Sequence, residues 1–201
     1  MLYQIAAPTE RVLTLEEAKA QCRVEVDMTD DDTFLYSLMD AVEQAIDGGD
    51  GWLGRCLVSQ TWEMRLGGFC EEKIRIPLPP LLEVESVKYY DQANVLQTLS
   101  ASFYTVNGVG AKQPGCVELN YGYVWPVTYI RSEAVQVQFR AGYVDTAISP
   151  SGVVPAPIKQ AMLLAVSEMY EDRSPIVVGT IVQSIPTVEN LLSPYRIPFF
   201  A

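Results

Sequence analysis

The spacing of apolar positions near the start of the chain predicts a short amphipathic helix. Leu15, Ala18 and Cys22 recur at three- and four-residue intervals, which places them on one face of a helix. Thr14 and Glu17 have the spacing of a capping box, in which each side chain accepts a hydrogen bond from the other residue's backbone amide. We therefore expect this helix to begin directly after Thr14.

A longer apolar stripe predicts a second helix. Its members recur every three or four residues: Phe34, Leu35, Leu38, Met39, Val42, Ala45 and Ile46. Thr29 or Asp30 is the predicted N-cap, because both residue types accept hydrogen bonds from the first free amides of a helix. The pair Gly48 and Gly49 is a typical helix stop and marks the end of this helical part.

The middle of the chain alternates between apolar and polar residues, which is typical of strands. Strands are predicted at residues 57–66, 73–78, 84–90, 95–99, 103–106, 116–121 and 134–139. A turn at residues 91–94 joins two of them into a hairpin. Because no helical pattern separates the strands, we expect a small antiparallel β domain rather than a parallel sheet.

A helical pattern returns at residues 158–170, with Pro157 in its first turn and an entirely apolar run at residues 161–166. The predicted fold is α+β. The N-terminal helices and this C-terminal helix form a small bundle, and an antiparallel β domain is inserted in the sequence between them. The predicted boundaries are 1–52 for the N-terminal helical part, 53–150 for the β domain, 151–174 for the completing helix and 175–201 for an extended arm.

The predicted arm combines four prolines, which oppose regular structure, with large apolar side chains. The apolar residues are Val188, Leu191, Leu192, Tyr195, Ile197, Phe199 and Phe200. A solvated tail has no use for such residues, so we expect the arm to dock onto a neighbouring subunit or a partner protein. The alternative is that the arm packs on its own domain.

Charge and composition exclude several classes of function. The formal net charge is −11, and residues 10–50 alone hold twelve acids and three bases. Such a chain is poorly suited to binding nucleic acid, which requires Lys and Arg to neutralise phosphates. There is no His, and therefore neither the commonest general base nor the commonest metal ligand. We expect neither a secretory signal nor a membrane-spanning segment.

No arrangement of residues predicts a catalytic, metal or cofactor site. A calcium loop beginning at Asp27 would need Gly at position 32 and Glu at position 38, where the chain has Asp32 and Leu38. The four cysteines form no close-spaced pair, so we interpret them as small apolar side chains in a reducing cytoplasm. The close acidic pairs Glu71/Glu72 and Glu83/Glu85 fall where solvated loops or strand edges are expected. We therefore expect no enzyme and no cofactor.

A ligand-binding β module is an alternative from another class. Five aromatic residues fall in or near the predicted strands: Tyr89, Tyr90, Tyr121, Tyr123 and Trp125. Together they offer a platform of the kind that binds carbohydrate. At strand spacing, however, such residues are more often half-buried members of a sheet, and we favour that interpretation.

Eight segments of the chain, in order, resemble the phage head–tail connector family, the adaptor proteins of long-tailed phages and of related gene transfer agents. They are LTLEEAK at 13–19, DDTFLYSLMDAVE at 31–43, GRCLVSQTW at 54–62, IPLPPLLEVESVKYYD at 76–91, WP at 125–126, VQVQFRAGY at 135–143, VPAPIKQAMLL at 154–164 and YEDR at 170–173. Each segment is common on its own, and the resemblance comes from their order and spacing over residues 12–173.

The resemblance implies a structural protein of the virion, located at the neck between head and tail and assembled in the host cytoplasm. Such proteins form a homo-oligomeric ring under the portal protein, and the implied subunit number is twelve. The ring extends the DNA channel, through which duplex DNA passes without specific binding, and it offers a platform to a stopper or tail-completion protein. A tail-completion or other neck component is the alternative within the same context.

The acid-rich first quarter suggests a role for charge in such a ring. If Asp30, Asp31, Asp32 and Glu43 face the channel, their charge repels DNA from the wall and lets it slide. The equally favoured alternative is that these acids form the solvated outer face of a helix pair. A closed ring of identical chains uses heterologous interfaces, in which one face of each chain meets a different face of the next.

Overall fold

The computed structural model of the chain describes residues 1–69, 72–143, 153–172 and 186–197. The protein has an α+β fold, as the sequence predicts, and divides into two compact units. The β unit comprises Met1–Thr9 and Val58–Gly152, and the helical unit comprises Glu10–Leu57 and Val153–Ala201. The helical unit therefore takes its residues from both ends of the chain, with most of the β unit inserted between them.

The described part of the β unit contains two antiparallel sheets. The five-stranded sheet has, in spatial order, β1 (Leu2–Ala6), β2 (Gln60–Leu66), β8 (Val135–Ala141), β4 (Leu81–Tyr90) and β5 (Leu96–Thr98). The three-stranded sheet has β3 (Lys73–Ile76), β7 (Gly115–Leu119) and β6 (Tyr104–Asn107) in that order. A 3₁₀ turn at Ala101–Phe103 precedes β6. Each predicted strand is present, and the predicted hairpin is β4–β5.

Strand β1 is not predicted by the sequence. It pairs antiparallel with β2, with Leu2 opposite Met64, so residues 2–6 belong to the sheet and not to the N-terminal helical part in which we expected them. Four of its five residues are exposed, because β1 lies at an edge of the sheet. An edge strand of this kind carries no buried alternate positions, and the periodicity that reveals a strand is therefore missing.

The core of the β unit lies where strands β2 and β8 pair. Trp62 is opposite Phe139 and Met64 is opposite Val137, and all four side chains are buried. After β8 the chain passes close to another backbone segment at Gly142, which has a φ of +142°. A Cβ atom at this position would lie 2.4 Å from the carbonyl carbon of Val58, so only glycine fits here.

In the helical unit, α1 (Leu15–Cys22) begins as predicted. The Thr14 hydroxyl accepts from the Glu17 amide at 3.2 Å, and the Glu17 carboxylate accepts from the Thr14 amide at 3.0 Å. Helix α2 (Asp32–Ile46) differs at its start, because its N-cap is Asp31 and not the predicted Thr29 or Asp30. The cap makes no side-chain hydrogen bond to the helix, since the Asp31 carboxylate accepts from the Tyr170 hydroxyl instead.

The described residues of this unit also form the helices α3 (Ala156–Glu171) and α4 (Pro186–Leu192). Pro157 lies in the first turn of α3, as predicted. The predicted stripe of α2 is the buried face of that helix, and it packs on α3. Side chains buried in this core include Leu35, Leu38, Met39, Val42, Ile46, Ile158, Ala161, Met162, Ala165, Val166, Val188 and Leu192.

Candidate functional site: surfaces for assembly

The C-terminal segment departs from the extended arm that the sequence predicts. Residues Pro186–Leu192 form α4, and a 3₁₀ turn follows at Ser193–Tyr195. Val188 and Leu192 are fully buried in the helical unit, where they lie with Val42, Ile46 and Ala161 around one small pocket in the core. The prediction that these two residues dock onto a partner is therefore wrong. Prolines flank the helix rather than interrupt it, because Pro186 is its first residue and Pro194 follows its end.

The other predicted docking residues have different environments. Leu191, Tyr195 and Ile197 are half-buried. The remaining two, Phe199 and Phe200, lie outside the described residues. Residues 175–185, which form the first part of the predicted arm, also lie outside them.

Three contacts fix the last described residues, 195–197, to the loop after α2. The Arg55 side chain, which is 2% exposed, donates from Nε to the Tyr195 carbonyl oxygen at 2.6 Å. The Ile197 amide donates to the Leu53 carbonyl oxygen at 2.8 Å, and the Arg196 guanidinium lies 4.5 Å from the centre of the Trp52 ring. These contacts fix the chain up to Ile197, the last described residue before Pro198, Phe199, Phe200 and Ala201.

The acidic turn before α2 is held by a buried cation. Lys19, which is 2% exposed, forms an ion pair with Asp32 at 2.5 Å and donates to the carbonyl oxygens of Val26 and Met28 at 3.1 and 2.7 Å. Asp31 accepts from Tyr170, as described above, and only Asp30 of the three acids is exposed. The side chains of Asp31 and Asp32 are thus both engaged by partners within the helical unit.

Glu43 is half-buried on α2 and also has partners within its own unit. Its carboxylate accepts from the Val12 amide at 3.1 Å. Burial raises the pKa of the Glu43 carboxyl above its usual range, and the hydrogen bond from Val12 and the charge of Arg11 oppose this effect. An acid in this position contributes less surface charge than the exposed Asp30.

Several large apolar side chains are exposed on the loop between β7 and β8, residues 120–133, which we call the 120–133 loop. Six large side chains are exposed on it: Tyr121, Tyr123, Val124, Val127, Tyr129 and Ile130. Tyr121 and Ile130 are almost completely accessible, at 105% and 97%, and Val124 is 82% exposed. Tyr121, Tyr123 and Trp125 lie outside the strands, so the prediction that they are sheet residues is wrong, whereas it is confirmed for Tyr89 and Tyr90, which are half-buried residues of β4.

Both ends of the 120–133 loop are fixed to the rest of the β unit. At its start, the Asn120 side chain donates to the Ser102 carbonyl oxygen at 2.9 Å. Near its end, the Tyr129 amide donates to the Tyr90 carbonyl oxygen at 2.9 Å, and the Arg131 guanidinium lies 3.9 Å from the centre of the Tyr90 ring.

Between these ends, two aromatic stacks support the loop. Trp125 stacks on Phe69 with ring centres 4.5 Å apart, and Tyr123 stacks on Phe103 at 4.6 Å. The remaining exposed side chains are thereby presented from a supported backbone. Sequence reasoning missed this surface because exposure is a tertiary property, although Gly122 and Pro126 indicate a loop.

A polar network includes Glu133, near the end of the 120–133 loop. Arg65 forms ion pairs with Glu63 at 2.5 Å and Glu133 at 2.9 Å, and the Tyr3 hydroxyl donates to Glu133 at 3.0 Å. The contacts with Arg65 and Tyr3 lower the pKa of the Glu133 carboxyl. These four residues are thus linked to one another by ion pairs and a hydrogen bond.

Within the described ranges, no group of three or more His, Cys, Asp or Glu residues is placed to hold a metal ion. None of the described helices is both long and apolar enough to cross a bilayer. Cys22 and Cys116 are half-buried thiols, Cys56 is a buried one, and burial raises the pKa of Cys22. Cys70 lies outside the described residues.

The whole chain has the fold of solved chains from a phage-like particle. One, from the virion of a native gene transfer agent particle, is 19% identical with a TM-score of 0.74. A second, from the neck of an empty gene transfer agent particle computed with C6 symmetry, is 20% identical with a TM-score of 0.73. A third, from the neck of a native particle computed with C12 symmetry, is 18% identical with a TM-score of 0.63.

Each of these likenesses covers 100% of this chain and 97% of the other. At such identities they show a common fold. No protein-family model matches the chain. No curated protein matches its sequence either.

Proposed function

We propose that the protein is a structural component of the neck of a phage-like particle. The observation that carries this proposal is the likeness, over all of this chain and 97% of the other, to chains of a gene transfer agent neck. Both units of this chain, including β1 and α4, fall within that likeness, so it is not limited to a common β domain. The role has no catalytic step, in agreement with the lack of His.

Within the neck, the role that we propose is that of a head–tail connector, or adaptor. Twelve copies form a ring under the portal protein, extend the DNA channel and present a platform to a stopper or tail-completion protein. Two observations support this role. The sequence segments described above resemble that family, and one of the similar neck structures was computed with C12 symmetry.

Charge is consistent with a channel through which DNA passes without binding. The helical unit holds sixteen acids and seven bases, so it carries nearly all of the net charge of −11. A wall of one sign repels phosphate and keeps the duplex mobile. We propose that Asp30, the exposed member of the four candidate acids, faces the channel, whereas Asp31, Asp32 and Glu43 mainly stabilise the helical unit.

The last residues of the chain are the proposed contact with the portal protein or the neighbouring subunit. The contacts at residues 195–197 fix the chain immediately before the segment that contains Phe199 and Phe200. Phe199 and Phe200 are the proposed anchors, because aromatic residues, Phe among them, are enriched at protein interfaces. Tyr195 and Ile197, which are half-buried, lie at the base of this contact.

Labelling of particles tests the proposed location. Gold-labelled antibody against the chain should mark a single vertex, at the junction of head and tail. In pull-down experiments the full chain should bind isolated portal rings. A chain that binds tail tubes but not portal rings would be a tail-completion protein, and a chain absent from purified particles would contradict the neck assignment altogether.

A truncation tests the proposed anchor. Removal of residues 198–201 leaves the contacts of Arg55 and Leu53 in place, so the helical unit should keep its thermal stability. We expect portal or subunit binding to weaken at least tenfold, since an interface anchor is worth about 2 kcal/mol or more. A matched variant, Leu191→Ala, changes a half-buried residue upstream and should bind normally. Unchanged binding after the truncation would contradict the assignment of Phe199 and Phe200.

A further inference from the structure

The 120–133 loop has the properties of a protein-binding surface. Six exposed large side chains on one short segment are more than an isolated chain needs, since soluble proteins rarely expose apolar patches larger than about 300–600 Å² without a function. Three of the six are tyrosines, a residue type enriched at the centre of protein interfaces.

The loop is also ready to bind without further folding. Its ends are hydrogen-bonded to Ser102 and Tyr90, and its middle is stacked on Phe69 and Phe103. Fixing a flexible loop on binding costs conformational entropy. Because these contacts already order the loop in the free chain, less entropy is lost when a partner binds. The exposed tips of Tyr121, Val124 and Ile130 are thus available as rigid anchors.

The lack of charged side chains on most of the loop indicates which kind of partner binds it. Residues 119–130 contain no charged side chain, and the first charges on either side are Glu118 and Arg131. Copies of a chain with net charge −11 repel one another, and contact between them costs least where neither surface carries charge. A strongly basic partner, by contrast, would be matched by acids, and this segment has none.

The same chain offers a second surface with exposed apolar side chains for the loop to meet, beside the N-terminal ammonium of Met1, which donates to the Arg65 carbonyl oxygen at 2.9 Å. Residues 1–9 contain no charged side chain, and Met1 and Ile5 are exposed on and beside the edge strand β1. A contact between two different faces of identical chains is the heterologous type, which closes into a ring when the rotation between copies allows it.

We propose that the 120–133 loop is the surface through which one copy of this chain binds the next, with Tyr121, Val124 and Ile130 as its anchors. The proposal rests on the ring assembly put forward above and gives it a specific interface. Arg131 and Glu133 lie at one end of the loop, so its charged side chains are outside the uncharged stretch at residues 119–130.

Photo-crosslinking tests the proposal directly. We would replace Ile130 or Tyr121 in the full chain with p-benzoylphenylalanine, and Val26 as a control, since Val26 is 65% exposed but lies in the helical unit. The variants would be irradiated both in assembled particles and as concentrated purified chain. Adducts at multiples of the chain's own mass, obtained from positions 121 and 130 and at least fivefold stronger than from position 26, support the proposal.

The outcomes separate this proposal from the proposed function. Adducts in particles to another neck protein, with none between copies, would overturn the interface and leave the neck location standing. Adducts between copies of the purified chain, together with absence of the chain from particles, would support the interface and contradict the neck function. Equal self-adducts from positions 26 and 130, or none from positions 121 and 130 in either setting, would also overturn the interface.

A double substitution provides an independent measurement. Val124→Asp with Ile130→Asp places charge on two exposed side chains, so the thermal unfolding midpoint should not change. We expect the self-association constant, measured by analytical ultracentrifugation, to fall at least tenfold, whereas Val26→Asp should change it less than twofold. Self-association of the double variant at the strength of the unmodified chain would overturn the proposal.

Discussion

The Arg55 guanidinium donates from Nε to the Tyr195 carbonyl oxygen at 2.6 Å, although 140 positions separate the two residues. This bond ties the loop after α2 to the turn after α4. Arg55 is 2% exposed, so the bond is shielded from water and a charged donor strengthens it further. The described residues 186–197 of the C-terminal segment are thus fixed to the helical unit.

Replacement of Arg55 should therefore destabilise the helical unit. Arg55→Met keeps most of the apolar stem but removes the donor, which leaves a shielded carbonyl oxygen without this partner. We expect a loss of about 1–3 kcal/mol in the free energy of unfolding, measured by urea denaturation followed by far-UV circular dichroism. Arg75→Met, at an exposed position on β3, should cost less than about 0.5 kcal/mol. Equal effects of the two substitutions would contradict a structural role for the Arg55 bond.

Two adjacent leucines on α4 provide a matched test of its packing. Leu192 is fully buried, and Leu191 is half-buried. Leu192→Ala should reduce the free energy of unfolding by about 2–4 kcal/mol, because it leaves a cavity against α2 and α3. Leu191→Ala should cost no more than about 1 kcal/mol. If the two variants unfold at the same denaturant concentration, α4 is not packed on the unit as described.

Lys19 is the third position at which a single change should weaken the helical unit. Lys19→Met removes the ion pair with Asp32 and the donors to the Val26 and Met28 carbonyl oxygens. Loss of one partner from a buried ion pair leaves the other charge poorly compensated, and we expect a cost of about 3 kcal/mol. Amides of residues 24–31 should also exchange faster with deuterium, whereas the exposed control Lys73→Met should alter neither quantity.

The sequence was sufficient for elements whose own residues determine them. The capping box of Thr14 and Glu17 is local, and the stripe of α2 has a clear helical period, so both were predicted at the correct residues. The N-cap of α2 was not, because tertiary contacts with Tyr170 and Lys19 engage the side chains of Asp31 and Asp32. Strand β1 was missed because its pairing with β2 depends on residues nearly 60 positions away.

The candidate surfaces were harder to predict than the fold. The apolar residues of the C-terminal segment were recognised, but sequence alone does not distinguish an apolar side chain that binds a partner from one that packs on its own unit. Val188 and Leu192 are of the second kind. Conversely, Tyr121 and Ile130 were not assigned to an exposed surface, because their exposure follows from how the chain connects β7 to β8.

Glu43 should make the stability of the helical unit depend on pH. Burial raises its pKa in the folded state above the unfolded value of about 4.3, so the protonated form favours folding. Its contribution is therefore largest below pH 4.3 and is lost as the pH rises through the folded-state pKa. Glu43→Gln removes this loss and retains an acceptor for the Val12 amide. At pH 7 the variant should therefore be more stable than the parent by up to about 1 kcal/mol, with a smaller difference at pH 4.

Urea unfolding at both pH values measures the effect of Glu43→Gln, and Glu10→Gln, at an exposed position, is the control. A variant less stable than the parent at pH 7 would show that the charged carboxylate contributes more through Val12 and Arg11 than its burial costs.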